Sequence, residues 1–310
     1  MASGESQNSA IPSIDTSSSY TMQKILITGA TGTVGLETIK AFHKLGMRVD
    51  LVAGVRDIIR VPAKLAGYGL DFVRFDFTDP ATYVTALEGC NTLFLLRPPQ
   101  LAEVKKYFKP LIERAVAAKV EHIVFLSVQG APGSRFIPHH KIEKLIVKSG
   151  VAYTFLRPAY FMQNFTTTLR DDLLAKRQIY LPADNAKFTL IDVRDIGAVA
   201  AQVLAYPDQH ANQAYDLTSD EPLTFIQMAK KLSEGLGYRI NYESPTLWEF
   251  FWKKKREGNS IGFILVLILL HYLPRFQKPP PLSRWVERIT GKPPITFEKF
   301  VCDYADELSN

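Results

Sequence analysis

The sequence predicts an α/β fold: a doubly wound parallel sheet with a smaller, mostly helical C-terminal lobe. Three observations predict it. From Lys24 to about Pro158, short β-branched runs alternate with amphipathic helical stretches. The runs are nearly continuous in apolar residues, as strands covered by helices on both faces must be. Past residue 158 this regularity gives way to helical segments separated by Pro-rich turns such as KPPPL at 278–282.

The strand candidates of the first half are 24–28, 48–54, 71–75, 92–96, 122–127 and 153–157. Between them lie helix candidates 34–46, 57–67, 80–88, 101–119 and 139–150, several closing on glycine (Gly46, Gly67, Gly89, Gly150), which suits a left-handed cap. Short links between alternating strands and helices imply right-handed crossovers. The second half offers helix candidates 194–206, 224–236, 246–256, 261–273 and 297–308. Its strand candidates are 178–181, 187–191, 215–217 and 239–242.

Composition narrows the classes. At 310 residues, with 46% hydrophobic content, the chain can bury a substantial core. The net charge of +6 suits anionic ligands, but the basic residues are scattered, with one tight cluster at 253–256 (KKKR), so nucleic acid is not an expected partner. Two cysteines, Cys90 and Cys302, give neither a bridge framework nor a zinc pattern; no metal is expected, and a reducing, cytoplasmic setting is. Residues 1–22 are Ser-rich without an apolar core or arginines, and read as a disordered tail. The most apolar run, 261–270 (IGFILVLILL), is too short to span a bilayer and reads as a buried or pocket-lining helix, with peripheral membrane contact as its alternative.

The chemistry starts at KILITGATGTVG, residues 24–35. Its glycines are spaced G-x-x-G-x-x-G in a strand-to-helix context. Gly29 permits a sharp turn, Gly32 permits close approach of a pyrophosphate, and Gly35 permits close packing of helix on strand. The backbone N–H groups of Thr31, Gly32, Thr33 and Val34 would then face phosphates at the positive helix end. At the end of the second strand stands Arg56, where an acidic residue would mark a free 2′-hydroxyl. A guanidinium there suits a 2′-phosphate, so NADP(H) is the expected cofactor. Asp57 is expected to cap the next helix. Residues 23–158 thus read as an NADP-binding Rossmann domain and 159–310 as a substrate-binding lobe with segments returning to the sheet.

LITGATGTVG, GVRD, FDFTDP, FLSVQGA, HHKIEKLIVKSGVAYTFLRPAYFMQNF, IDVRDIGAVAA and ITGKPPITFEKFVCDYA together resemble the NmrA-like family of atypical short-chain dehydrogenases/reductases. The resemblance runs from residue 24 to about 308. It implies that Asp76 and Phe77 sit beside adenine, and that Arg97, Pro98 and Pro99 pass the central riboses. It also implies that Ser127 and Val128 approach the nicotinamide ribose, and that Pro158 to Phe161 pack on the nicotinamide side. Each has a plainer alternative: Asp76 as a turn residue, the prolines as a strand terminator, Ser127 as a satisfied hydroxyl.

Ordinary short-chain dehydrogenases use Tyr-x-x-x-Lys, but Ile137 stands four residues before Lys141. The isoflavone-reductase branch keeps a lysine fourteen residues before its tyrosine, and counting back from Tyr153 reaches His139. With an ordinary pKa near 6.5, His139 could donate a proton at neutral pH. Lys141 lies about 200° around a regular helix from it, so the two cannot both face the nicotinamide unless the helix starts late. Tyr160 is the third catalytic candidate. Trp248, Phe250, Phe251 and Trp252, with the 261–270 run, would line an apolar pocket. The expected activity is NADP(H)-dependent hydride transfer on a bulky apolar small molecule: a quinone, enone, imine or secondary-metabolite intermediate. The alternatives are a non-catalytic NADP(H)-binding sensor acting on a partner protein and a redox-neutral rearrangement in the same pocket.

Overall fold

Seven parallel strands form the spine of the molecule, in the order β10-β6-β5-β4-β1-β2-β3. The computed structural model describes residues 23–47 and 49–309, so the expected tail at 1–22 lies outside the described residues. Along the chain run β1 (Lys24–Ile27), α1 (Thr33–Leu45), β2 (Asp50–Val55), β3 (Asp71–Arg74), α2 (Thr82–Ala86), β4 (Thr92–Leu96), α3 (Val104–Ala117), β5 (His122–Leu126), α4 (Pro138–Ser149) and β6 (Ala152–Pro158). There follow β7 (Tyr160–Phe161), α5 (Arg170–Lys176), β8 (Gln178–Tyr180), β9 (Lys187–Ile191), α6 (Val193–Ala205), β10 (Gln213–Leu217), β11 (Pro222–Thr224) and α7 (Phe225–Leu236). The chain closes with β12 (Asn241–Glu243), α8 (Leu247–Arg256), α9 (Ile261–Tyr272), α10 (Trp285–Thr290), α11 (Phe297–Asp303) and α12 (Ala305–Ser309).

Strand alternation sorts the core into two layers. Ile25, Ile27, Ala53, Phe94, Val124 and Leu156 face α1, α6 and α10. Their neighbours Leu26, Val52, Leu93, Leu95, Ile123 and Phe155 face α2, α3 and α4. This is why the strands read as continuous apolar runs. The order reverses between β1 and β4, which opens a crevice at the carboxyl ends of the strands. After the lobe begins, α6 returns to pack on α1, and β10 adds a parallel edge beside β6. The close approach of α6 to α1 depends on Gly197, since a Cβ there would lie 2.6 Å from the Glu37 carbonyl carbon.

The lobe has its own core, where Phe165, Leu190, Phe225, Met228, Phe250, Phe297 and Phe300 are buried together. Two small sheets hold it: β11-β9-β7 and β12-β8.

Three expectations are corrected. The helix expected over 57–67 does not form; only a short 3-10 turn at Ala63–Leu65 appears. Pro62 lacks an N–H and pushes Val61 to an extended backbone. Asp57 therefore caps no helix, and its Oδ1 instead accepts from the N–H groups of Ile59 (2.9 Å) and Arg60 (3.3 Å) in a local turn. The helix expected over 297–308 is broken at Tyr304 into α11 and α12. Finally, α9 forms but is not a buried helix: Ile264, Leu267 and His271 are covered while most of its other apolar residues are exposed.

Candidate active site

The site is built from strand ends. Thr28 ties the two strands flanking the crevice: its hydroxyl donates to the Phe94 carbonyl (3.1 Å) and accepts from the Leu96 N–H (2.8 Å). The chain then turns at Gly29, whose φ of +64° is a left-handed conformation that suits glycine. Gly35 packs against that turn, and a Cβ on it would fall 2.4 Å from the Gly29 carbonyl oxygen.

The turn delivers α1 with an open N-terminus. Its N-cap is Gly32, which has no capping side chain, and its first turn holds no acidic residue. Gly32 donates its own N–H to the Gly29 carbonyl (2.9 Å), which removes it from the expected phosphate donors. The N–H groups of Thr33, Val34 and Gly35 have no partner among the described residues. Unpaired donors at a positive helix end fit the pyrophosphate of a dinucleotide.

Arg56 is exposed just past β2 and makes no ion pair within 4 Å among the described residues. Its charge, with that of Arg74, helps hold the Asp76 carboxyl below the usual range. Burial is the largest influence on Asp76 and pushes upward; the hydrogen bonds from Thr78 outweigh it. Asp76 Oδ1 accepts from both the N–H and the hydroxyl of Thr78, each at 2.8 Å, so this side chain serves the turn after β3. The ring of Phe77 is buried against Phe75 and Phe108, so it faces the core rather than the crevice.

At the end of β4, Arg97 organises the following loop. Its Nη1 donates to the carbonyls of Pro98, Pro99 and Leu101, all at 3.0 Å, and its Nε donates to His139 Nε2 (3.3 Å). With Nε2 accepting, the neutral His139 ring carries its proton on Nδ1, which has no partner among the described residues. Burial, and secondarily the Arg97 charge, pull the His139 pKa down to about 4. The ring is therefore neutral at pH 7, unlike the titrating imidazole expected from the sequence.

The helix α4 starts at Pro138, so His139 and Lys141 both lie on regular helix and diverge. Lys141 is exposed, and His140 is buried with Nδ1 3.0 Å from the Ala131 carbonyl. One turn on from His139, the same face carries Glu143, which sequence reasoning missed. Glu143 is buried and joins Ser127, whose hydroxyl donates to it at 2.5 Å, with Arg157, which grips it through Nε (3.0 Å) and Nη2 (2.8 Å). Val128 follows Ser127 at the end of β5, and Pro158 closes β6, where its carbonyl accepts from the Gln129 N–H (3.0 Å).

Tyr160 points elsewhere. Its hydroxyl lies 3.1 Å from His271 Nε2, within an aromatic group that includes Phe188 and Phe225. His271 is fully buried and its Nδ1–H donates to the Leu267 carbonyl (2.7 Å), so Nε2 accepts the Tyr160 proton. Burial pulls His271 down to about 4 and raises the Tyr160 phenol well above its ordinary value. Among the described residues no hydrogen bond or ring contact joins Tyr160, Lys141 and His139. The expected aromatic pocket wall does not converge either: Phe250 is core, while Trp248 and Trp252 are exposed.

Comparison with known proteins agrees with this fold. The model of the NmrA-like family matches residues 21–254. The chain is 30% identical over 296 residues to the NAD(P)H azoreductase of Xenophilus azovorans, covering 91% of this chain and 98% of that one. It is 29% identical over 287 residues to the Prestalk A differentiation protein A of Dictyostelium discoideum, covering 93% and 94% respectively. The crystal structure of the Escherichia coli NADPH-dependent quinone oxidoreductase complexed with NADPH superposes with a TM-score of 0.78 at 26% identity, covering 90% of this chain and 99% of that one.

Proposed function

The chain belongs to the NmrA-like family, and we propose that it is an NADP(H)-dependent reductase of a bulky, largely apolar organic acceptor such as a quinone, enone or imine. The observation that carries this reading is the open N-terminus of α1 behind the Gly29 turn, with the exposed Arg56 at the adjacent strand end. Thr31 and the N–H groups of Thr33, Val34 and Gly35 would hold the pyrophosphate. Arg56 would pair with the 2′-phosphate, and Asp76 with the Phe77 backbone would border the adenine. The loop of Arg97, Pro98 and Pro99, the Ser127-Val128 strand end and Pro158 would line the remainder of the cofactor. When bound, the cofactor supplies the hydride.

The chain's own part is to orient and to stabilise. Arg97 fixes the His139 ring by hydrogen bonding, and the neutral ring offers an N–H through Nδ1. Such a donor can stabilise charge developing on an acceptor oxygen or nitrogen without itself giving up a proton. Glu143 and Arg157 hold α4 against the ends of β5 and β6, so that donor stays in place. In this reading Lys141 is a surface residue and Tyr160 belongs to the lobe's core. His139→Ala lowers kcat by about tenfold, the value of one neutral hydrogen bond, and leaves NADPH affinity unchanged.

Titration with NADPH and NADH tests the cofactor assignment. Arg56→Asp weakens NADPH by roughly 10- to 100-fold, as expected for charge-assisted hydrogen bonds, and NADH far less; equal losses would refute the 2′-phosphate role. A panel of quinones and imines tests the reaction. NADPH binding with no acceptor-dependent oxidation would favour the second reading, a nucleotide sensor, which the outward Lys141 and the core-facing Tyr160 support.

A further inference from the structure

The outer surface of α8 and α9 is unlike the rest of the molecule. α9 is apolar on all sides. Its inner stripe, Ile264, Leu267 and His271, packs on the lobe, while Ile261, Leu265, Val266, Leu269 and Leu270 are each about half exposed or more. Beside it, Trp248 (72% exposed) and Trp252 stand one turn apart on α8, with ring centroids 5.5 Å apart. Contiguous apolar exposure on this scale marks an interaction surface rather than ordinary surface scatter.

The charge around it is equally uneven. Residues 245–292 hold nine Lys or Arg against three acids, a net +6 that equals the net charge of the whole chain. Glu257 is held by Lys253 and Lys254, which also grip Asp172, so those charges are turned inward. Lys255 and Arg256 stand exposed just before α9 and Lys278 just after it, while Arg275 pairs with Asp184 at 2.9 Å. The apolar ridge is thus bracketed by cations at both ends.

We propose that the α8–α9 surface docks on an anionic lipid surface, with α9 lying in the interface plane. At 12 residues α9 is about 18 Å long, too short to cross the hydrocarbon layer. Among the described residues, no helix is long and apolar enough to do so. In an interfacial helix, aliphatic side chains enter the acyl boundary, tryptophans sit at headgroup depth, and flanking Lys and Arg reach the phosphates. All three elements are here, the usual polar face being replaced by the stripe that packs on the lobe. A second copy of the chain fits less well. A two-fold pairing over α9 would bring two sets of Lys255, Arg256 and Lys278 together, and like charges oppose it. The docking stands independently of the reductase reading.

Sedimentation of the full chain with vesicles tests the proposal, using phosphatidylcholine alone and phosphatidylcholine with about one-third phosphatidylserine. The chain is expected to sediment with the anionic vesicles and to be released by salt. Leu265→Glu with Leu269→Glu lowers partitioning by about tenfold or more, the value of withdrawing two aliphatic side chains from water-free contact. Lys255→Glu with Arg256→Glu lowers it about fivefold for each charge removed. NADPH affinity and melting temperature confirm that each variant is folded, since none of these residues borders the nucleotide site. Binding that is unchanged in the leucine variant overturns the proposal. So does failure to bind either vesicle, together with a dimer in solution that the leucine variant dissociates.

Discussion

The two ends of the candidate crevice are constructed differently. At the phosphate end the geometry is made by backbone: a left-handed glycine, a glycine packed against its carbonyl, and a helix terminus left uncapped. At the reaction end it is made by side chains from distant segments: Arg97 on His139, and Ser127 and Arg157 on Glu143. Backbone geometry tolerates almost no substitution but varies little. Side-chain geometry tolerates replacement and can be retuned, which suits the end that meets the substrate.

Gly35→Ala is the sharpest test of the first half of that contrast. The added Cβ meets the Gly29 carbonyl at 2.4 Å and the Ala30 Cα at 2.9 Å, and neither is a flexible side chain that could move aside. We expect a loss of about 3 kcal/mol or more in stability with nucleotide binding abolished, read by chemical denaturation and NADPH titration. Gly46→Ala is the control: it closes α1 at φ +65° with open space around it, so it costs only about 1 kcal/mol of backbone strain. Similar losses in the two variants would mean that the turn is not the constraint.

Glu143→Gln tests the other end and ranks second. The Glu143 side chain is 8% exposed and that of Arg157 17%, so removing the carboxylate charge strands a largely covered guanidinium. We expect a stability loss of about 2–3 kcal/mol, below the value for a fully buried pair because Arg157 still touches water. The exposed pair of Lys106 and Glu103 is the comparison, and Glu103→Gln is expected to cost under about 0.5 kcal/mol. A loss for Glu143→Gln as large as that of Gly35→Ala would break the contrast between the two ends, and one as small as that of Glu103→Gln would mean that the pair does not anchor α4.

How much of this was legible in the sequence follows the same division. The parallel sheet and the glycine turn could be read because periodicity and glycine spacing are local signals, and the exposed place of Arg56 just past β2 because it sits at a fixed offset from a strand end. The helix expected at 57–67 does not form because Pro62 lacks an N–H and disfavours helical backbone at the residue before it. Glu143–Arg157 was missed because the pair joins a helix to a strand that follows it, and no local rule couples them. A signal existed: Glu143 falls on the stripe of α4 that carries Ile142 and Ile146, and a charge on a buried stripe needs a partner. His271 gave the same kind of signal, as the lone polar side chain ending the buried stripe Ile264–Leu267 of an otherwise apolar run.

His139 yields the smallest expected effect and the most specific one. Its pKa is pulled down to about 4, first by burial and second by Arg97. The unfolded chain holds this ring near 6.5, so as pH falls from 6.5 toward 4 the unfolded state takes up a proton that the folded state refuses. The ring's contribution is therefore complete above pH 6.5 and is lost on acidification. Between pH 5 and 8 it stays neutral, and kcat should show no limb assignable to it; a limb near 6.5 that vanishes in His139→Ala would restore the protonated donor. Arg97→Met separates the two causes. Because burial is the larger, the pKa read from the imidazole NMR signals should rise only slightly and remain well below 6.5, although the loop at 98–101 loses its three hydrogen bonds. A return to 6.5 would mean that the guanidinium charge, and not the closed surroundings of the ring, keeps the proton away.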